Sequence, residues 1–255
     1  MMKHHCECGL DIDLATHVQQ LLFPKGSPLC SWCCIGVKNR MASGLGGDYF
    51  DFITTADGCQ AIFLGDVTGH GLHASVVMSL LYGYIHHSAR ELCSPLELVR
   101  QVNDFLQTFA TRSQVFDHYF SSTLFCGVIH PETLEMSYVN AGHPAPLVRR
   151  GEVIHSLATT APPVGFFDDP DITLGTFRFE KEDRFLLYTD GITEAMDGDG
   201  IFFGRSRLEE VLLHKNGDHL HFLDQLFAAL RSFGAPDSPA DDCTAIVLDF
   251  HPFPL

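Results

Sequence analysis

LGGDYFDFITTADGCQAIFLGDVTGHGLH, residues 45–73, holds two strand-like runs and the start of a helix, with a carboxylate at each junction. Tyr49 to Thr54 and Cys59 to Val67 are rich in aromatic and β-branched residues, and Ala56-Asp57-Gly58 between them has the composition of a hairpin turn. After His70-Gly71, the residues Leu72, Val76, Val77, Leu80, Leu81, Tyr84 and Ile85 recur at helical spacing and predict one buried face. Asp48 stands where a glycine pair gives way to the first strand. Asp66 stands where the second strand breaks into a glycine-rich turn, beside the start of the helix.

Two more acidic stations have the same placement further along the chain: Asp190 in FLLYTDGITEA, and Asp241 with Asp242 in SPADDCTAIVL. Carboxylates at strand ends so far apart in sequence can converge only through the fold. Packed together they repel, and each raises the pKa of the others unless cations neutralise them. Hard oxygen donors of this kind suit Mg²⁺ or Mn²⁺ rather than Zn²⁺ or copper.

Outward from these stations, the pattern continues as an α+β chain. Ser94-Pro95-Leu96-Glu97 is a capping box with proline at the first helical position, and Leu98, Val102, Phe105, Leu106 and Phe109 give that helix a core face. Ser122 to Ile129, Leu134 to Val139 and Pro146 to Arg149 read as meander strands, with turns at Pro131-Glu132 and Gly142-His143. Arg184 to Tyr188 reads as a strand, helices follow around Leu208 to Leu213 and His219 to Phe233, and Thr244 to Asp249 closes the chain as a strand. A pair of helices between runs of strands argues against a doubly wound parallel sheet and for layered α+β architecture. Near the amino terminus, Asp13 is placed to cap a short helix through Leu14, Ala15, Val18, Leu21 and Leu22, ending before Pro24.

With 255 residues, 45% of them hydrophobic, and no linker-like stretch, the chain can bury one substantial core. Its formal charge of −16 disfavours nucleic acid and anionic membrane surfaces, and no basic cluster offsets it. No apolar run approaches the roughly 20 residues of a membrane span, and MMKHHCECGLDIDL lacks the pattern of a signal peptide, so a cytoplasmic protein is expected. The nine cysteines are odd in number and several fall in strand-like runs, as free thiols do. A zinc set drawn from His4, His5, Cys6 and Cys8 with Cys30 and Cys33 has familiar ligand spacing only in its last pair; a disordered terminus followed by buried thiols is expected instead.

The strings GGDYFDFI, GDVTGHGLHAS, YVNAGHPAPLV, LLYTDGITEAMD, Phe203-Gly204 and DDCTAIVL, in this order, resemble the bacterial branch of the metal-dependent protein phosphatases. That branch contains the sporulation stage II phosphatase E and stress-response regulators of alternative sigma factors, relatives of eukaryotic protein phosphatase 2C. The resemblance runs from about Leu14 to Asp249. It implies an α-β-β-α sandwich, two antiparallel sheets flanked by helix pairs, with two Mn²⁺ or Mg²⁺ ions at one edge. Asp48 and Asp66, with the Val67 carbonyl, would hold metal, and Asp190 and Asp241 would complete the second ion's shell. Two such cations about 3.5–4 Å apart activate water and neutralise phosphoryl charge, so the attacking group is water and not a side chain.

Other positions carry a structural reading beside the functional one. Asp190-Gly191 alone would be read as a turn former. Asp51 and Asp242 fit acceptors that orient ligands. Gly46 and Gly47 lack the spacing of a phosphate-cradling loop and instead suit close backbone approach. His70 falls four residues after Asp66, whereas eukaryotic relatives have a histidine after two, so a role in the turn or helix start competes with proton donation; His143 is expected to be structural. Lys38 and Arg40 are the nearest candidates for the arginine that grips phosphate in those relatives.

The resemblance also covers DLATHVQQLLFP, which is similar to the linker helix that joins a sensor domain to the catalytic domain. Residues 1–24 are therefore read as an amino-terminal segment and 25–255 as a catalytic domain, free-standing or excised, with pairing of two copies through the helix as one use of its apolar stripe. The expected substrate is a phosphoserine or phosphothreonine on an anti-anti-sigma, STAS-type regulator. A non-catalytic binding module with this fold and a phosphatase for small phosphomonoesters are the competing readings.

Overall fold

A computed structural model describes residues 4–24, 30–42, 44–91, 93–112 and 120–251, with side chains from residue 12 onward. The chain forms two five-stranded antiparallel sheets. The first contains β2 (Asp48–Thr54), β3 (Gln60–Val67), β4 (Ser122–His130), β5 (Glu135–Ala141) and β8 (Gly175–Arg178), in the order β2-β3-β4-β5-β8. The second contains β1 (Cys33–Arg40), β6 (Leu147–Arg150), β7 (Val153–Ser156), β9 (Arg184–Tyr188) and β10 (Cys243–Phe250), in the order β1-β10-β9-β6-β7. Helices α2 (Leu72–Ser88) and α3 (Pro95–Ala110) cover the first sheet, and α1 (His4–Leu22) lies against α2. Helices α5 (Gly204–His214) and α6 (His219–Phe233) cover the second, and the one-turn α4 (Asp190–Thr193) follows β9. The expected α-β-β-α sandwich is the observed architecture.

Three apolar layers hold it together. Phe50, Ile62, Leu64, Phe125, Phe185, Leu187, Ile246 and Leu248 fill the space between the sheets. Tyr49, Phe63, Val77, Leu81 and Val102 pack the first sheet on its helices, and Leu186, Val247, Leu212, Phe222 and Phe227 do so for the second. Central strands such as β3 are buried on both faces, which explains their near-continuous apolar runs. Each fully buried side chain of Leu or Phe size contributes roughly 1.5–3 kcal/mol.

Local signals act as the sequence indicates, with corrections. Ser94 Oγ accepts from the Glu97 N–H at 3.4 Å, but the Glu97 carboxylate accepts from Gln101 instead of closing the capping box. Asp218 caps α6 by accepting from the His221 N–H, and Gly234 ends it in the left-handed conformation. The strand β1 and the four-residue edges β7 and β8 were not expected from the sequence; β1 pairs with β10 along its whole length.

The amino terminus is helical from His4, not disordered, and Asp13 lies inside α1 rather than at its cap. The side chains of His4, His5, Cys6 and Cys8 lie outside the described residues. Cys33, Cys59, Cys126 and Cys243 are buried free thiols. The expected apolar stripe of α1 is not its buried face: Leu14, Val18 and Leu21 are exposed, while Gln19 is buried and Leu22 packs on the core. On α2, Val77, Leu81 and Ile85 are buried as expected, but Leu72, Val76 and Leu80 are exposed. Together with Leu14 and Val18 they line one groove between α1 and α2. Among the described residues no helix is long and apolar enough to cross a membrane.

Candidate metal centre

The acidic stations meet where the two sheets come together at one edge. Asp48 and Asp66 are direct cross-strand partners on β2 and β3. Asp190 opens α4 immediately after β9, and Asp241 and Asp242 immediately precede β10. Strand pairing and the return of β10 beside β9 thus bring residues from four parts of the chain to one place.

Asp48 is 1% exposed although it sits at the start of an edge strand. Its Oδ2 accepts hydrogen bonds from the hydroxyls of Thr189 at 3.0 Å and Thr244 at 2.5 Å. Thr244 belongs to β10 of the second sheet and Thr189 directly follows β9, so a carboxylate of one sheet is clasped from the side of the other. Thr189 Oγ1 in turn accepts from the Thr244 N–H, which fixes the pair. The remaining oxygen, Asp48 Oδ1, is buried without a partner. A buried carboxylate oxygen with nothing to accept from is costly, and a cation is the partner that suits it.

The carboxylates feel one another's charge. Burial, then the charges of Asp66 and Asp242, hold Asp48 well above the ordinary carboxylate range. Burial, then Asp190, Asp241 and Asp242, push Asp66 up to about 8. Burial, then Asp241 and Glu194, raise Asp190. Among the described residues no three His, Cys, Asp or Glu side chains are already arranged to hold an ion. The donor set, the orphaned oxygen and the mutual repulsion nevertheless fit hard divalent cations, which would draw the carboxylates inward.

Asp242 has a different task. Its carboxylate accepts from the N–H groups of Ala42 at 2.8 Å and Gly47 at 2.9 Å, and so ties down the glycine loop. Burial raises its pKa, and those hydrogen bonds oppose the rise. A Cβ on Gly46 would lie 1.8 Å from Asp242 Oδ2, and one on Gly47 would lie 2.8 Å from Asp66 Oδ1 and 2.9 Å from the Val67 carbonyl oxygen. Gly191 is needed for the same reason and not for a turn, since its Cβ would meet the Asp242 carbonyl oxygen at 2.1 Å.

Asp51 faces away from this cluster. Its Oδ2 accepts from Tyr82 Oη at 2.7 Å and lies 2.8 Å from His86 Nδ1, both on α2. His70 is exposed on the turn before α2. His143 is buried beside Thr123 Oγ1, and burial pushes its imidazole down to about 3, as befits a structural histidine. Lys38 is committed to Asp224. Arg40 stacks on Phe227 at 5.0 Å and reaches Asp237 only at 4.0 Å.

Three contributors escaped the sequence reading. Thr189 and Thr244 flank acidic stations, in YTDG and DDCT, and that adjacency was the available signal. Gln19, 2% exposed, donates Nε2 to the Gly46 carbonyl at 2.7 Å and accepts the Gly46 N–H at 3.1 Å. A polar residue one position after Val18 on an amphipathic helix gave no hint of this backbone-like pairing.

Comparison with known proteins follows the same lines. The family described as Stage II sporulation protein E (SpoIIE) matches residues 56–251. Protein IcfG of Synechocystis sp. is 27% identical, over 94% of this chain and 41% of its own length. The phosphoserine phosphatase RsbP of Bacillus subtilis is 27% identical, over 60% of this chain and 38% of its own length. The chain therefore spans less than half of each of these relatives. The SiaA-PP2C domain of Pseudomonas aeruginosa superposes with a TM-score of 0.82 at 19% identity, covering 98% of this chain and all 100% of that domain.

Proposed function

Since this chain belongs to the stage II sporulation protein E (SpoIIE) family, we propose that it is a metal-dependent phosphatase acting on phosphoserine or phosphothreonine in a regulatory protein. The observation that carries this reading is Asp48 Oδ1, a buried carboxylate oxygen with no protein partner, facing an acidic cluster. Asp48, Asp66 and the Val67 carbonyl would hold one Mn²⁺ or Mg²⁺, and Asp190 and Asp241 would complete the shell of a second. When bound, the cations would supply activated water and neutralise charge on the phosphoryl oxygens.

The chain's own groups do the positioning. Thr189 and Thr244 occupy Asp48 Oδ2 and leave Oδ1 free to ligate. Asp242 fixes the loop at Ala42 and Gly47, and the absence of a side chain at Gly46 and Gly47 keeps that loop against the carboxylates. Arg40, which reaches Asp237 only at 4.0 Å, is a cation available to a substrate phosphate; Lys38 is already paired. The same reading divides the chain into an amino-terminal segment, 1–24, and a catalytic domain, 25–255, tied together by Gln19.

The naming of RsbP as a phosphoserine phosphatase supports this substrate class, and an anti-anti-sigma, STAS-type protein is the proposed partner. Phosphate release from an aryl phosphate and from a phosphoserine protein, each with Mn²⁺ and with chelator, is the test. Mn²⁺-dependent release from both is expected. Release from the aryl phosphate alone would assign a small-molecule phosphomonoesterase, and release from neither a binding module.

A further inference from the structure

A cavity of about 360 Å³ opens beside the acidic cluster and shares Gly191 and Asp241 with it. Its walls are apolar for the most part: Met196, Phe227, Leu230, Ala235, Pro236 and Pro239. The two prolines fix the backbone of the segment leading to Asp241, so this wall is preformed. Next to the cavity, Met196 pairs through its backbone with Phe202, and Met196, Ile201 and Phe202 are 45%, 54% and 49% exposed. Exposed methionine and aromatic side chains beside a preformed hollow are what binding surfaces use. The polar lining is mixed, with Arg40 and Arg231 offsetting Glu194, Asp197 and Asp241. The two arginines soften the field of a chain whose formal charge is −16 where an anionic partner must approach.

We infer that this cavity receives an apolar side chain flanking the phosphorylated residue of the protein substrate, and so selects which phosphoproteins are turned over. The inference rests on the phosphatase reading above. An extended peptide advances about 3.3 Å per residue, so a residue one or two positions from a phosphoserine held at the acidic cluster reaches a hollow that begins at Asp241. The volume lies at the lower end of the roughly 300–1,000 Å³ of small-ligand sites, enough for one or two side chains but not for a helix. Three carboxylates against two arginines leave the lining net acidic, so the cavity also disfavours an acidic residue at that position.

Phosphoserine peptides that differ only in Leu, Gly or Asp at the positions flanking the phosphoserine test this, with the full chain and Mn²⁺. At one flanking position Leu should exceed Gly in kcat/KM by about tenfold or more, with Asp lower still. Ala235→Phe, which fills the cavity, and Met196→Glu, which places charge on its exposed lip, should each bring Leu within about twofold of Gly while aryl-phosphate turnover stays within about twofold of the parent. Should Ala235→Phe lower the melting temperature, the exposed Met196 position carries the comparison. A phosphoserine peptide with benzoylphenylalanine at the same position should crosslink to Met196 or to residues 235–240. Equal rates for Leu and Gly at every position, a preference that survives both variants, or crosslinks elsewhere would overturn the inference. Peptide turnover without preference overturns the cavity assignment alone; no turnover of any peptide or aryl phosphate overturns the phosphatase reading and the cavity with it.

Discussion

At the scale of single residues, the chemistry concentrates in carboxylates held against their preference to be apart. Asp66→Asn or Asp190→Asn removes a charge and a proposed ligand at once. Turnover with Mn²⁺ should fall by at least about a hundredfold, while the metal-free variant, relieved of repulsion, melts no lower than the parent. Near-parental turnover in either variant would remove the assignment. His143 offers a pH signature separate from the centre. Its folded pKa, about 3, lies below the ordinary 6.5, so on acidification the unfolded chain takes up the proton first. Stability from this group is therefore complete above about 6.5 and drains away as pH falls toward 3. Urea unfolding of His143→Gln against the parent should show the gap between them narrow over that window; a constant gap would mean the imidazole is not buried neutral. Asp48, Asp66, Asp190 and Asp241 could be read from the sequence because each ends or begins an apolar run. The threonine clasp and Gln19 could not, because hydroxyls and amides are common everywhere and acquire meaning only through the partner they meet.

At the scale of elements, α1 is tied to the centre by one side chain. Gln19→Ala would leave the buried N–H and C=O of Gly46 without their partners, at about 1–3 kcal/mol. Displacing the glycine loop should lower turnover between about tenfold and about a hundredfold. Gln20→Ala, at an exposed position of the same helix, is the control that separates loop support from a change in the helix itself. Pairing of two copies through the amino-terminal helix, one expected use of its stripe, would bury Leu14 and Val18 together with Leu72, Val76 and Leu80, which line the same groove. Val76→Asp should therefore reduce self-association in sedimentation velocity, and identical sedimentation of parent and variant would deny the groove that role. Long elements with strong periodicity, α2, α3, α6 and the strands β2 to β5, were legible with boundaries close to those observed. The strands β1, β7 and β8 were not: β7 and β8 are only four residues long, and all three are held by a neighbour's hydrogen bonds more than marked by their own composition. Three of the seven residues of the predicted face of α2 proved exposed for a related reason: periodicity marks which residues are apolar, and the layer beneath decides how wide a stripe it covers.

At the scale of the whole molecule, folding assembles a charge cluster that opposes folding. Cations that bind only the folded state should offset this by mass action, about 2.7 kcal/mol at a hundredfold excess over Kd. For a domain of this size that corresponds to a rise in Tm on the order of 5–10 °C with added Mn²⁺, reversed by chelator. A melting curve indifferent to Mn²⁺ across a broad titration would argue that no ion binds. The layered α+β class was legible because helix pairs interrupt runs of strands; the sandwich itself came from the family resemblance. A last consequence concerns the clasp of Thr189 and Thr244 on Asp48. The apolar layer between the sheets resists sliding through the interdigitation of its side chains, but such contacts do not single out one partner atom. Hydrogen bonds of 3.0 and 2.5 Å do, and those two join Asp48 of the first sheet to Thr189, directly after β9, and to Thr244 of β10. The clasp is thus a vernier for the sandwich: a slip of one ångström between layers would unhook Asp48, and whatever seats Asp48 firmly also locks the two halves of the molecule in register.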